Sequence, residues 1–469
     1  MHMPTPYDNV NPEGFGAGSW AHVEALKKAL EAGYAVSGQT GGNALQVQSL
    51  EQTLKLTQHT DRHLAFWHAI PKTKAYSLTE EYTRLDGYGD DRASGFVAQG
   101  ALPETEDSTY SRQSAFVKFM GEVGSVSHQM TMVRTIGGDP IVRETQNRIL
   151  NLLRRLDSAL FFGNSKLGFN GAEGLEFDGL QSLIPSSNII DLQNQPLEER
   201  AIRDGAQTIL DNFGVPSHLI AQPKQLEDYA KSYIPNFRVP VQNGDGSFTA
   251  GFVPNKVSTV AGEVSLLGDL FLKRFADAPS AATHAEAPTA PASVSGSKSG
   301  GADGGEWAKQ STTSTISAEY RVTACNDKGE STAATSSAVT ISTSESTKSI
   351  TLTITNAASV AVKPLYFNIY RRDGGSGSFY RVARVAAASQ ASGGTTTWKD
   401  VNLIIAGTWE AYMLDMRPEV IEFRQLLDLA KMDLAFVGPA YRFMVLLYGV
   451  PVLYTPKKAV RFINVAAAS

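Results

Sequence analysis

Residues 139–163, DPIVRETQNRILNLLRRLDSALFFG, form the longest uninterrupted helical pattern in the chain, and any fold must be built around them. Asp139 can cap the first turn, and Pro140 fits the first helical position, where its missing N–H costs nothing. Apolar residues follow at Ile141, Ile149, Leu152, Leu153, Leu156, Leu160 and Phe161, spaced by three and four. Arg143, Gln146, Arg154, Arg155 and Asp157 are expected on the other, polar side. Gly163 is expected to stop the helix in the left-handed conformation. Such a helix is about 35 Å long, enough to serve as the backbone of a whole domain.

With 469 residues the chain has room for two or three domains, and 42% hydrophobic residues can fill sizeable cores. A net charge of −5 argues against a nucleic-acid reader, which carries a basic face. Cys325 is the single cysteine, so no internal disulfide can form, as suits a reducing cytoplasm. The N-terminal MHMPTPYDNVNPEGFGAG has no basic segment followed by an apolar run and does not read as a secretory signal. No stretch approaches the ~18 uncharged apolar residues that span a bilayer.

Along the chain, 1–19 read as an extended leader, 20–32 and 44–58 as short helices, and 37–43 as a flexible break. From His63 aromatic and β-favouring residues predict extended structure. Residues 86–112, rich in Gly, Asp and Ser, would form the tip of a long hairpin whose second arm lies within 113–136. Helices are predicted over 197–213 and 223–233, and strands over 218–221 and 263–274. Composition shifts at 276 to a linker rich in Ala, Pro, Ser and Gly, with a short strand at most, running to 311. Residues 312–401 alternate with period two over 315–324, 334–342, 349–355, 364–371, 379–386 and 395–401, which predicts a β-sandwich. Residues 418–434 look partly helical, 441–447 and 450–454 are strands around Gly449, and 462–465 close the chain. A sandwich is therefore inserted into a domain that begins before it and ends after it.

No catalytic pattern emerges. There is no nucleophile elbow and no phosphate-binding loop. Gly14, Gly16 and Gly18 have no strand before them and no βαβ unit after them, so no cofactor is expected. His59 and His63 are spaced like a metal pair, but Thr60 stands where a zincin places Glu. Asp86, Asp90 and Asp91 lack calcium-loop spacing, and Cys325 reads as packing. No metal site and no enzyme are expected.

The order of parts does carry a resemblance. RRLDSALFFGNS at 154–165, GLEFDGLQSLI at 174–184 and FMVLLYGVPVLYTPKKAVRFINV at 443–465 resemble the spine-helix end, the following segment and the closing strands of tailed-bacteriophage major capsid proteins of the Hong-Kong-97 type. GGNALQVQSLEQTLK at 41–55 resembles the N-terminal arm of capsid proteins from large contractile-tailed phages. APTAPASVSG, AEYRVTACNDKGES at 318–331 and LYFNIYRRDGGSGSFYRVARV at 365–385 resemble an immunoglobulin-like or fibronectin type III module.

The resemblance implies an α+β Hong-Kong-97-type capsid fold plus an inserted all-β sandwich. A leader or arm would occupy 1–43, and the capsid core 44–275 and 408–469. Within that core lie a projecting hairpin at about 80–125, a spine helix at 139–163 and an axial domain at 190–275 and 408–440. Linker and insert would fill 276–407. The chain would self-assemble as hexamers and pentamers into an icosahedral virion shell around double-stranded DNA, assembled in the host cytoplasm and with no membrane partner. Scaffold, portal and decoration proteins are implied partners, and the outward-facing insert could meet host-surface glycans. An insert of that kind is expected to be dispensable for assembly. Glu31 is a candidate processing site, and Arg143, Arg154, Arg155 and Asp157 are candidates for contact with a neighbouring subunit or DNA. Lys118, the single lysine of 80–125, leaves little scope for a covalent lysine cross-link. The alternatives are an encapsulin-type shell and a secreted adhesin or glycan-active protein with a fibronectin-like module.

Overall fold

The computed structural model describes residues 60–89, 96–102, 105–133, 138–233, 241–242, 248–249, 254–272, 277–311, 313–435 and 438–466. The chain divides into two units. One comprises residues 1–56 with 134–138, of which Gly138 alone is described, and the other comprises 57–133 with 139–469. The helices expected at 20–32 and 44–58, as well as His59, Asp90 and Asp91, lie outside the described residues.

The long helix runs Pro140–Phe162. Asp139 accepts a hydrogen bond from the Ile141 N–H, and Pro140 takes the first position, as the sequence predicts. The stop differs from the expectation. Gly163 has φ −56°, not a left-handed value, and the glycine serves a close backbone approach instead. The apolar stripe of Leu152, Leu153, Leu156, Leu160 and Phe161 packs on a four-stranded sheet. That sheet is ordered Lys72–Lys74, Ile421–Asp433, Ala440–Leu453 and Lys118–Ser127. Its first pair is parallel and the others antiparallel.

Several expectations are corrected here. Residues 421–433 are a strand rather than a helix. Its pairing with Ala440–Leu453 shifts register between Gln425 and Leu427 and again between Leu427 and Ala430. Each irregularity re-aims the following side chains, so the period-two signal is lost and a helical spacing imitates it. Ala440–Leu453 is one 14-residue strand rather than two, because Gly449 sits inside it, where a Cβ would meet the Phe423 ring at 2.5 Å. The stretch after His63 opens with a short helix, Ala65–Ala69, whose Phe66 and Trp67 wedge into the core. The projecting hairpin pairs Thr79–Gly87 with Thr109–Phe116, and from Lys118 the chain already belongs to the four-stranded sheet.

A six-stranded mixed sheet follows the order Ile189–Gln195, Ala459–Val465, Trp409–Leu414, His218–Ala221, Gly262–Gly268 and Lys256–Thr259. Helix Glu199–Asp211 buries Ile202, Ala206 and Ile209 against it, beside Leu219, Val264 and Phe462. No described helix is long and apolar enough to cross a membrane.

Residues 293–400 form two facing sheets. Three strands, Ser293–Lys298, Ile350–Thr355 and Thr395–Asp400, face a second sheet built on Ile316–Cys325, Tyr366–Asp373 and Tyr380–Ala386. Ile350, Leu352 and Ile354 interlock with Tyr320, Val322, Phe367 and Ile369 in one core. Much of the expected linker is part of this body, since Ser293–Lys298 pairs in the first sheet and Trp307 is buried in the core. Inside it, Arg371 is fully buried and donates to Asp400 at 2.7 Å. Cys325 is buried, and burial pushes its thiol up to about 12, which leaves it packed and unreactive.

Candidate assembly surfaces

The hairpin carries many exposed side chains along both arms. An isolated two-stranded ribbon is marginal in water, and this one is fixed at its root. There Tyr82 meets Tyr454 edge-on at 4.9 Å, and the Val117 N–H donates to the Leu78 carbonyl at 2.9 Å. Beyond the root it carries Tyr88 at 87% exposure and Tyr110 at 66%, with Phe96 and Leu102 in the segment between the arms above 90%. Near the root one face of the first arm alternates, with Glu80, Tyr82 and Arg84 half-buried and Glu81, Thr83 and Leu85 exposed. Tyr82 and Ala115 pack against the core, and beyond that the arms stand in solvent.

The polar side of the long helix is only partly free. Arg155 pairs with Glu122 of the neighbouring strand at 3.2 Å, and Asn151 donates to the same carboxylate at 2.5 Å. Glu122 is 8% exposed, so these partners compensate a largely desolvated charge. Arg148 pairs with Glu144 one turn earlier. Arg154 points outwards and donates to Asn151. Arg143 is half-buried. Glu31 lies outside the described residues.

Asp157 does not belong to that polar side. It is fully buried and accepts from the Trp67 N–H at 3.0 Å. Its neighbour is Asp269, also fully buried, which accepts from the N–H groups of Phe66 at 2.9 Å and Phe271 at 2.7 Å. Burial, then the charge of Asp269, hold the Asp157 carboxyl far above the usual carboxylate range. Asp157 Oδ2 accepts from no N–H or O–H group, which suits a carboxyl that burial and the facing Asp269 keep protonated. Through the N–H groups they accept, the two facing carboxyls join the short helix, the long helix and the segment after Gly262–Gly268. The expected contact of Asp157 with a neighbour or DNA is corrected accordingly. The signal was present in the sequence, because Leu153, Asp157 and Phe161 are spaced by four and share one helix face.

Sequence reading missed Asp269, Glu122 and Glu176. Each is positioned by tertiary pairing across tens to hundreds of residues, and no local spacing reports that. Among the described residues no group of three or more His, Cys, Asp or Glu is placed to hold a metal.

The family model for the SU10 major capsid protein matches residues 35–283. Three phage proteins align over 94% of this chain and 95% of their own length. They are a candidate major capsid protein of Enterococcus phage phiEF24C at 26% identity, and the major capsid proteins of Staphylococcus phages S25-3 and K at 24%. Among solved structures, the capsid of the native GTA particle is 9% identical, covers 92% of this chain and 99% of its own, and has a TM-score of 0.46. The holo-SrpI encapsulin of Synechococcus elongatus PCC 7942 is 9% identical, covers 93% and 98%, and has a TM-score of 0.44. Scores below 0.5 do not decide the fold.

Proposed function

The chain belongs to the SU10 major capsid protein family, and we propose that it builds its icosahedral phage shell by laying the hairpin across a neighbouring subunit within hexamers and pentamers. The relatives that share nearly its whole length are named as phage capsid proteins, which favours a virion shell over an encapsulin compartment. The observation that carries the reading is the run of exposed aromatic and apolar side chains on a ribbon that packs against the core only near its root. Exposed apolar surface on such an element marks a contact made elsewhere. Obligate interfaces bury on the order of 2,000 Å² or more, enough to fix a ribbon that is marginal alone.

Tyr110→Asp combined with Leu102→Asp tests this. Both side chains are exposed, so the variant is expected to fold with an unchanged circular-dichroism spectrum. Purified full chain should then give no closed particles by negative-stain microscopy where the native chain does. Particles at native yield from the variant would remove the hairpin from the interface.

In the same reading the sandwich is an immunoglobulin-like module on the outer face. Packaged double-stranded DNA lies within, and Arg154 is the helix residue best placed to meet a neighbour or DNA. Scaffold, portal and decoration proteins would join during assembly, in the host cytoplasm, and host-surface glycans are the ligand class for the insert. Proteolysis after Glu31 would release the leader. Lys118 is engaged by Glu173 at 2.5 Å and by the Gly174 carbonyl at 2.9 Å, which supports a shell without lysine cross-links. Particles are expected to run as a single band on a denaturing gel and to have an intact mass lacking residues 1–31. A covalent ladder would sink the first expectation, and a mass that includes Met1 the second.

A further inference from the structure

The loop 164–179, which leaves the long helix, is gripped from two sides. From the sandwich, Arg384 on strand Tyr380–Ala386 donates to Glu176 through both terminal nitrogens, at 2.8 and 2.5 Å. One of these nitrogens also donates to the Phe162 carbonyl at 3.2 Å, in the last turn of the long helix, where carbonyls lack helical partners. The Tyr366 ring lies 4.9 Å beneath the guanidinium. The Asn170 N–H donates to the Ala387 carbonyl at 2.9 Å, so the backbones join as well. A planar, two-pronged arginine at a helix C-terminus combines carbonyl capping, favourable dipole interaction and a bidentate carboxylate pair.

From the other side, Lys118 holds Glu173 and the Gly174 carbonyl. Lys118 begins its strand one residue after Val117, whose N–H closes the hairpin root. The loop also braces itself, since Ser165 donates to Asp178 through both its N–H and its hydroxyl at 2.8 Å. The sandwich is tied down at a second place. Lys309 pairs with Asp191 of the six-stranded sheet, Asn464 donates to the same carboxylate at 2.9 Å, and Asn464 Oδ1 accepts from the Ile405 N–H at 2.8 Å.

We propose that the inserted sandwich is a built-in clamp: by seating Arg384 on Glu176 at the end of the long helix, it fixes loop 164–179 and, through the hold of Lys118 on that loop, the root of the projecting hairpin. The sandwich is then an integral part of the subunit rather than a dispensable decoration, and deleting 285–406 removes the helix cap with it. The consequence for assembly rests on the hairpin being an inter-subunit element. The clamp itself does not, because it is read on the unassembled chain.

The test is hydrogen–deuterium exchange of unassembled full-length chain carrying Arg384→Met or Glu176→Gln. Both variants are expected to exchange at least tenfold faster across 164–179 and at the root amides 116–120, which Arg384 does not touch. Strands Ile350–Thr355 and Ile421–Asp433 should keep native protection. Arg384→Lys retains the charge without the fork and is expected to fall between native and Met. Unchanged exchange at 164–179, a rise confined to the sandwich, or a uniform loss in every element would each overturn the proposal. The last of these would mark a general fold contact rather than a clamp.

Discussion

Asp157→Asn is expected to leave the subunit folded and to flatten the decline in stability that the native chain undergoes as pH rises towards 9. The Asp157 carboxyl is raised from 3.8 to about 9 by burial first and by the facing Asp269 second. Between those values the folded chain keeps a proton that the unfolded chain has released. Stability from this group is therefore fully present below about pH 4, declines as pH rises, and is lost once pH passes about 9, with a slope of up to about 1.4 kcal/mol per pH unit for one proton. Asparagine has no proton to lose. Its amide can donate to the facing Asp269, and its carbonyl can accept from the Trp67 N–H as Oδ1 of the acid does. Asp269→Ala is the contrasting case, because it strands the buried N–H groups of Phe66 and Phe271 and should cost about 2–5 kcal/mol. Urea denaturation of unassembled chain at pH 5, 7 and 9 reads both effects. An Asn variant with the native pH slope would show that Asp157 does not hold this proton.

The long helix is legible to within a residue because its start and stripe are local, while the role of Gly163 at its end is set by the chain returning at Gly179. Asp139 caps, Pro140 enters, and the apolar residues at three and four set the buried face. The sandwich was legible for the same reason, since its strands alternate between turn signals and most were placed within two residues. What escaped was set by pairing at a distance. Ile421–Asp433 gave up its alternation to two register shifts against its partner. Phe66 and Trp67 look β-favouring in sequence, yet they cap a core that includes Phe161 and Phe423 from far along the chain. Residue type puts Asp157 on the polar side, as a candidate for contact with a neighbour or DNA, although its spacing places it among buried neighbours. The hold of Arg384 on Glu176 joins residues 208 apart, and neither stands out locally.

Gly179→Ala is expected to be among the most damaging single-methyl additions in the chain, for the reason that Gly163 was misread. The two glycines face one another where the chain returns across the helix end, and the Gly179 N–H donates to the Gly163 carbonyl at 2.9 Å. A Cβ at Gly179 would stand 2.6 Å from the Ala159 carbonyl oxygen, 2.8 Å from the Gly163 nitrogen and 2.8 Å from the Leu160 oxygen. At Gly163 it would meet the Phe177 oxygen at 2.4 Å. All of these are backbone atoms, so no rotamer change relieves them, and the cost should reach about 3 kcal/mol or more, the upper end for overpacking. Gly171→Ala is the matched comparison, because its φ of +73° carries backbone strain while its Cβ would face open space. That variant should lose only about 1–2 kcal/mol. Urea midpoints of the two variants at equal chain concentration separate the readings, and a Gly179→Ala midpoint as mild as that of Gly171→Ala would show that the crossing can open without loss. If the crossing does give way, the Phe162 carbonyl and Glu176 part company, and Arg384 loses both of its acceptors to the same methyl group.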